Sequence, residues 1–220
     1  MSGPGARTSH RHGRDAGGDP ALLAAKSALR DEVWDALMAA RVARFPGARN
    51  RISNFVGAEA AARRLRETSE WKRAETVKAN PDSAQLPVRR TALEDGYTVY
   101  MAVPRLAEPE PFFLLDPDHL ADPPRKAASI AGATRSARRV AVEELRPVDL
   151  VVTGCVAVGE DGRRLGKGGG FADLEFALAA AAARARLTAS GGVSSPTRDI
   201  ESCGASHHAR PYRALRADLA

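Results

Sequence analysis

The stretch GRRLGKGGGFADLEFALAA, residues 162–180, has four glycines and a lysine at 166–170, directly before an apolar run with helical spacing. The most apolar run of the chain, PVDLVVTGCVAV at 147–158, precedes it and is long enough for a buried strand. Glycine lets backbone N–H groups approach a ligand, and a helix start offers unpaired N–H donors with a partial positive charge. A strand, a glycine loop and a helix in this order predict a cradle for phosphate.

Two familiar phosphate loops do not fit the spacing. A Walker A loop has four residues between its first glycine and the Gly-Lys pair, and Ser or Thr follows that pair. Here only three residues separate Gly162 from Gly166-Lys167, and Gly168 follows. A dinucleotide-binding fingerprint needs glycine where Phe171 stands. A hinge or tight turn before a helix is the structural alternative to phosphate binding.

Three charged residues accompany the glycines. Lys167 adds a full positive charge to the loop, and Arg164, just before it, is close enough in sequence to reach the same phosphates. Asp173, about one turn into the helix, is a candidate ligand for a Mg²⁺ that bridges phosphate oxygens. Its alternative role is that of a first-turn carboxylate stabilised by the helix dipole.

The rest of the chain alternates predicted helices and strands. From Ala21, an apolar stripe formed by Leu22, Leu29, Val33, Leu37 and Ala40 predicts a helix with one buried face, ended by the Phe-Pro-Gly at 45–47. Further helices are predicted at 57–71 and 88–96, and strands at 75–80, 97–104 and 112–115. This alternation predicts an α/β fold, a three-layer sandwich with a mainly parallel sheet flanked by helices.

Composition divides the chain into three parts. The 220 residues, 44% hydrophobic, suit one sizeable core, which we place at 21–187. Residues 1–20 are rich in Gly, Ser, Arg and His and predict a disordered leader. Residues 188–220 show almost no strand-like alternation and predict a loop or tail.

Charge and cysteine content narrow the functional classes. The net charge of +6 and a pI near 9.8 suit an anionic ligand, but the absence of an unbroken basic tract makes nucleic acid an unexpected partner. Two cysteines cannot form a disulfide framework, and the apolar stretches fall short of the roughly 20 residues that span a bilayer. We expect a cytoplasmic protein without membrane contact, either a monomer or a weak homo-oligomer.

The loop RLGKGGGFAD, residues 164–173, resembles the phosphate loop of 5-formyltetrahydrofolate cyclo-ligases, also called methenyltetrahydrofolate synthetases. KSALR at 26–30 resembles the family's N-terminal Lys-x-x-Leu-Arg, and 86–105 resembles its segment of helix, glycine, strand and Pro-Arg. Residues 43–65, VKANPD at 77–82 and 164–177 are closer to the subgroup of methenyltetrahydrofolate synthetase domain-containing proteins. The resemblance covers residues 26–187.

The resemblance implies an ATP- and Mg²⁺-dependent conversion of 5-formyltetrahydrofolate to 5,10-methenyltetrahydrofolate, with Lys167 and Arg164 as catalytic residues. Asp173 would hold magnesium. Phe171 stands where the family has a folate-contacting tyrosine, and Asp82, five residues before Pro87, stands where it has a substrate-binding glutamate. The residues implied to bind ATP are Lys26, Arg30, Arg164, Gly166, Lys167, Gly168, Gly169 and Gly170.

The sequence also departs from the family pattern. Ala172 replaces an aromatic residue, Leu174 replaces an arginine and Asp82 is one methylene shorter than the family's glutamate. The family's strand region before its Thr-Pro-Thr-Arg stretch is absent, so 188–220 resembles a remnant of the C-terminus; either a C-terminal strand region is lost or the gene model is faulty. The alternative function is a non-catalytic nucleotide-binding relative that serves as a binding or regulatory module.

Overall fold

The computed structural model describes residues 19–106, 108–159, 163–189 and 201–202. Its helices are α1 (Pro20–Ala39), α2 (Ala58–Glu67), α3 (Ser69–Arg73), α4 (Leu86–Glu94), α5 (Pro124–Ala127), α6 (Ile130–Ser136) and α7 (Phe171–Ala189). Its strands are β1 (Thr76–Ala79), β2 (Thr98–Ala102), β3 (Phe112–Leu115), β4 (Arg138–Val140), β5 (Leu150–Thr153), β6 (Ala157–Val158), β7 (Arg164–Leu165) and β8 (Glu201–Ser202).

The main sheet has the strand order β4-β3-β2-β1-β5-β8. Its centre is parallel, because β1 pairs parallel with both β2 and β5, and β8 pairs parallel with β5. Strands β3 and β4 extend the other edge in antiparallel pairing. All four residues of β1 are buried, which is the pattern of a parallel strand covered on both faces.

Helices cover both faces of this sheet. On one face, Val99 and Met101 of β2 join a core with residues of α2, α3, α4, α5 and α6. On the other face, Tyr100 and Ala102 of the same strand pack with Ala182 of α7. The period of two along β2 therefore divides its side chains between two cores. The predicted α/β fold with a mainly parallel sheet flanked by helices is confirmed.

The first helix is confirmed in position, but its predicted apolar stripe is covered only in part. Leu22 and Leu29, both in the predicted stripe, are 50% and 45% exposed. Val33 and Leu37 of the stripe pack against a cluster of Trp34, Ala48 and Val156. The indole N–H of the buried Trp34 donates to the Arg51 carbonyl at 3.1 Å. Periodicity identified an apolar stripe, but the body of the protein covers only the second half of the helix.

Other differences arise where predicted elements are interrupted. The helix predicted at 57–71 is divided into α2 and α3 at Thr68, whose extended backbone and side chain cap α3. The run at 147–158 forms β5 and, after a break, β6, which pairs with β7 in a separate hairpin. The glycine loop therefore follows the hairpin strand β7 and not the buried strand β5.

The C-terminal part shows two departures from the predicted loop or tail. Helix α7 continues to Ala189, and Glu201–Ser202 forms β8 in register with Val152 and Thr153 of β5. A two-residue strand is too short to show an alternating pattern in sequence. Of the predicted leader at 1–20, Asp19 caps α1 and Pro20 begins it. Residues 1–18 of that leader, and 190–200 and 203–220 of the predicted tail, lie outside the described residues.

The close packing of α5 against α6 gives a test of the fold. A Cβ added to Gly132 would lie 1.7 Å from the Lys126 carbonyl oxygen, and backbone atoms cannot move aside cheaply. Gly132→Ala is therefore expected to lower the free energy of unfolding by about 2 kcal/mol or more in urea denaturation. Ala131→Ser, at the exposed neighbouring position, is the control and should change it by less than about 0.5 kcal/mol. Equal stability of the two variants would contradict the packing.

Candidate functional site

The glycine loop requires glycine at two of its four glycine positions. Gly168 and Gly170 have φ values of +102° and +67°, in the region that side chains rarely adopt. A Cβ at Gly169 would lie 2.9 Å from two atoms of the Phe171 ring, which packs against this backbone. Gly166 has nothing within 4 Å of where its Cβ would stand. The loop thus presents bare backbone at the start of α7.

The first helix holds this loop by a long-range contact. The Arg30 side chain donates from Nε to the Gly166 carbonyl oxygen at 2.8 Å. Its guanidinium carbon lies 3.5 Å from the position of a Gly168 Cβ, so the cation lies over the loop backbone. Lys26 stands one turn earlier on α1 and is exposed. The structure therefore brings Arg30 to the predicted phosphate loop and places Lys26 on the same helix.

A second cation, Arg164, links the β6–β7 hairpin to both β5 and α7. Arg164 of β7 donates to Asp173 Oδ1 at 3.1 Å and to Thr153 Oγ1, at the end of β5, at 3.3 Å. The predicted magnesium ligand is therefore paired with a predicted phosphate ligand. The Asp173 side chain is 79% exposed, so the pair is open to solvent.

The donor set restricts how a metal ion would bind. Within the described part of the chain, no group of three or more His, Cys, Asp or Glu side chains is arranged to hold a metal. Mg²⁺ commonly keeps several waters and binds through one or two carboxylates plus substrate phosphates. Asp173 suits binding through one carboxylate plus substrate phosphates, because it is a single exposed carboxylate at the start of α7, beside the glycine loop.

The sequence analysis missed a buried polar cluster directly behind the loop. Lys78 of β1 donates from Nζ to Oε2 of Glu175 on α7, and the two side chains are 1% and 4% exposed. Asn80 donates from Nδ2 to the same oxygen at 2.6 Å. A lysine inside a buried strand and a glutamate on the apolar side of a helix were the available signals, but each alone resembles an ordinary surface charge.

Burial and mutual attraction act in opposite directions on this pair. Burial lowers the pKa of Lys78 and raises the pKa of Glu175, because each charged form loses water. The attraction between the two charges and their hydrogen bond oppose both shifts. Removing one partner would leave the other charge buried without compensation, which typically costs several kcal/mol.

Asp82 lies in the turn that follows β1, beside the end of β5. Its carbonyl oxygen accepts a hydrogen bond from the buried guanidinium of Arg89 at 3.1 Å. A Cβ at Gly154 would lie 3.1 Å from Asp82 Oδ2 and 2.7 Å from Ile52 Cγ2, so the glycine lets both side chains approach the strand end. Burial raises the pKa of Asp82, while the positive charges of Lys167, Arg89 and Lys78 oppose the shift.

The apolar side of the site lies at the start of α7. Phe171 is 39% exposed and Leu174 is 49% exposed, both larger fractions than core residues of this fold retain. Phe171 is the predicted folate contact, and its ring covers Gly169. Leu174 adds apolar surface one residue after Asp173, where the family pattern has a charged arginine. The structure thus offers a partly exposed aromatic ring beside the glycine loop.

The raised pKa of Asp82 gives a pH-dependent prediction. The native state binds this proton more tightly than the unfolded chain, whose pKa is near 3.8. Asp82 therefore lowers stability as pH rises from about 3.8 to the shifted pKa, and the loss stays constant at higher pH. Asp82→Asn removes that contribution. The free energy of unfolding of the variant minus that of the native protein is expected to increase between about pH 4 and pH 7 in urea titrations. A difference that stays constant or falls would contradict the assigned environment.

Comparison with known proteins finds relatives from several vertebrates that carry the same name. The chain is 37% identical over 163 residues to the methenyltetrahydrofolate synthase domain-containing protein of Bos taurus, covering 73% of this chain and 43% of that protein. The Mus musculus protein of the same name is 38% identical over 156 residues, covering 70% and 42%. The Homo sapiens protein is 34% identical over 161 residues, covering 72% and 42%.

The chain therefore spans less than half the length of the curated relatives it matches. No helix among the described residues has the length and apolarity needed to cross a membrane. The model of the 5-formyltetrahydrofolate cyclo-ligase family matches residues 23–196, which include most of the first helix, strands β1 to β7 and the glycine loop. The resemblance read from the loop is thereby confirmed, and this chain belongs to the 5-formyltetrahydrofolate cyclo-ligase family.

Proposed function

We propose that this domain catalyses the ATP-dependent conversion of 5-formyltetrahydrofolate to 5,10-methenyltetrahydrofolate. The observation that carries the proposal is the contact of Arg30 with Gly166, which joins a helix cation to the glycine loop across 136 residues of chain. A loop that served only as a hinge would not need a guanidinium over its backbone. Together with family membership, this contact supports a site for a polyanionic nucleotide.

In the proposed reaction, the formyl oxygen of the folate attacks the γ-phosphorus of ATP and ADP leaves. The N10 nitrogen then attacks the activated carbon and loses its proton to solvent. The phosphorylated oxygen departs as inorganic phosphate, and the new carbon–nitrogen bond closes the methenyl ring. Each step needs two anionic ligands held together and charge stabilised on phosphate oxygens, which is mostly positioning and electrostatics.

Different residues of this chain would bind the triphosphate and the magnesium ion. Backbone N–H groups of the glycine loop and the charges of Lys167, Arg30 and Lys26 would bind the triphosphate. Arg164 would stabilise the phosphate oxygens once it exchanges Asp173 for the nucleotide. Asp173 would then be free to hold Mg²⁺, which supplies charge neutralisation between phosphate oxygens.

The folate would bind on the side of the site formed by Asp82 and Phe171. The exposed Phe171 ring offers a stacking surface for a planar heterocycle, and the Asp82 carboxyl can accept its N–H groups. Attraction between Asp82 and Lys167 indicates that this side adjoins the phosphate loop. Such proximity is what transfer from the nucleotide to the folate requires.

A specific observation favours a second candidate, a non-catalytic nucleotide-binding module. Leu174 and Ala172 depart from the family pattern, and the exposed Leu174 offers no charge to the folate side of the site. Such a module would bind ATP through the same loop without turning over folate. Measurement of both nucleotide binding and methenyltetrahydrofolate formation separates the two candidates.

Lys167→Ala tests the enzyme directly. The variant is expected to lower ATP-dependent turnover by at least about 100-fold, since it removes a full charge from the loop, while the melting midpoint stays nearly unchanged. Turnover is followed by the near-ultraviolet absorbance rise of methenyltetrahydrofolate, with an ATP-free reaction as blank. Lys72→Ala, at an exposed position on α3, is the matched control and should keep native turnover. Native turnover in the Lys167 variant would remove this lysine from the mechanism.

Asp173→Asn tests the metal assignment. Loss of the carboxylate is expected to raise the Mg²⁺ concentration for half-maximal turnover by about tenfold or more, because an amide oxygen is a weaker ligand for a hard cation. A magnesium titration at fixed nucleotide and folate measures the shift. Asp118→Asn, an exposed carboxylate after β3, should leave the titration unchanged. An unshifted titration in the Asp173 variant would assign magnesium to other ligands.

A further inference from the structure

Asn80 is the point at which the two sides of the site are joined. It is 4% exposed and lies at the end of β1, two residues before Asp82. Its amide Nδ2 donates to Glu175 on α7, two residues after Asp173. Its side-chain oxygen accepts from the Gly154 N–H at 3.2 Å, at the end of β5.

The backbone of Asn80 is bound as fully as its side chain. Its N–H donates to Gln85 Oε1 at 2.8 Å, and its carbonyl oxygen accepts from Arg89, which also binds the Asp82 carbonyl. All four polar groups of this residue therefore have partners within the fold. Arg89 and Gln85 therefore tie Asn80 to the turn that carries Asp82.

We propose that Asn80 and Glu175 are positioning residues that hold the glycine loop at a fixed separation from Asp82, so that binding of the nucleotide and binding of the folate are coupled. The inference rests on the proposed function for the identity of the two ligands. The hydrogen bond between Asn80 and Glu175 is a direct link between the element that begins with the loop and the strand that leads to Asp82. Neither side chain reaches solvent, so neither is expected to touch a ligand.

An exchange of amide and carboxylate isolates this bond. Asn80→Asp sets two carboxyl groups against each other, and Glu175→Gln removes the charge beside Lys78. In the double variant, the new amide at position 175 can donate to the new carboxylate at position 80, and Lys78 keeps a negative partner nearby. Side-chain volumes and net charge are nearly those of the native protein, so the double variant is a test of rescue.

Two measurements are made on the full chain at a temperature where each variant is folded. In the calorimetry a non-hydrolysable analogue takes the place of ATP in Mg-ATP, because the proposed reaction would consume ATP and the folate during the titration. The Kd of this nucleotide is measured with and without 5-formyltetrahydrofolate, and the ratio of the two values is the coupling factor. Steady-state assays give kcat and KM. In each single variant we expect the coupling factor to fall towards one and kcat to drop at least about tenfold, while the Kd of Mg-ATP alone changes less than about threefold. The double variant should recover both quantities.

Glu94→Gln is the matched carboxylate-to-amide control, because Glu94 is in an exposed ion pair with Arg90 on α4. It should retain the native coupling factor and kcat. If Asn80→Asp does not fold, Glu175→Gln and the double variant still make the comparison. Native coupling in the folded single variants, or a double variant that regains its melting midpoint without its coupling, would overturn the inference.

The design separates this inference from the proposed reaction. A native protein that binds both ligands with coupling but forms no methenyltetrahydrofolate would reject the cyclo-ligase activity, while loss and rescue of coupling would still support the positioning role. A native protein whose affinity for Mg-ATP is the same with and without 5-formyltetrahydrofolate would overturn the positioning role, whatever its turnover.

Discussion

The ammonium of Lys78, buried in the central strand of the sheet, is the constraint on which the site depends. Strand β1 lies between β2 and β5. The negative charge that compensates Lys78 therefore comes from helix α7, through Glu175. Helix α7 is rich in alanine and buries small side chains such as Ala179 and Ala182, which tolerate several registers. A buried ion pair contributes little net stability, but separating its members leaves a buried charge without a partner, which typically costs about 3–5 kcal/mol. Any register of α7 that moves Glu175 away from Lys78 carries that cost. The pair therefore fixes where α7, and the loop before it, stands on the sheet.

Carboxylates around the glycine loop offset most of the positive charges gathered there. Arg164 is neutralised by Asp173, and Lys78 is neutralised by Glu175, while Asp82 is attracted to Lys167. Without these carboxylates, the cations would repel one another before any anion arrived. The acidic residues let several positive groups share a small volume. In the proposed function, an arriving polyanion would replace a weak exposed partner such as Asp173, and the buried partner of Lys78 would stay in place.

The sequence reveals the loop because its signals are local. Glycine clustering, the helix period after Phe171 and the apolar run before the loop each lie within a few residues, and the structure has the corresponding elements. The Lys78–Glu175 pair spans 97 residues, and no local pattern connects its members. Strand β4 was missed because Arg138 and Arg139 give it no apolar alternation. The exposure of the first half of α1 was not predicted, because an apolar stripe does not show which part of a helix the rest of the protein covers.

The separation in sequence between Arg30 and Gly166 has a consequence for synthesis of the protein on the ribosome. At about 5–20 residues per second, the loop emerges on the order of ten seconds after the helix that holds it. During that interval β1, β2 and α4 can assemble, but Lys78 has no carboxylate from α7 to meet. The nascent chain therefore carries an incomplete sheet face until α7 appears. The candidate site is therefore completed only after strands β1 to β5 have been synthesised, and a ligand could bind it only once α7 is present.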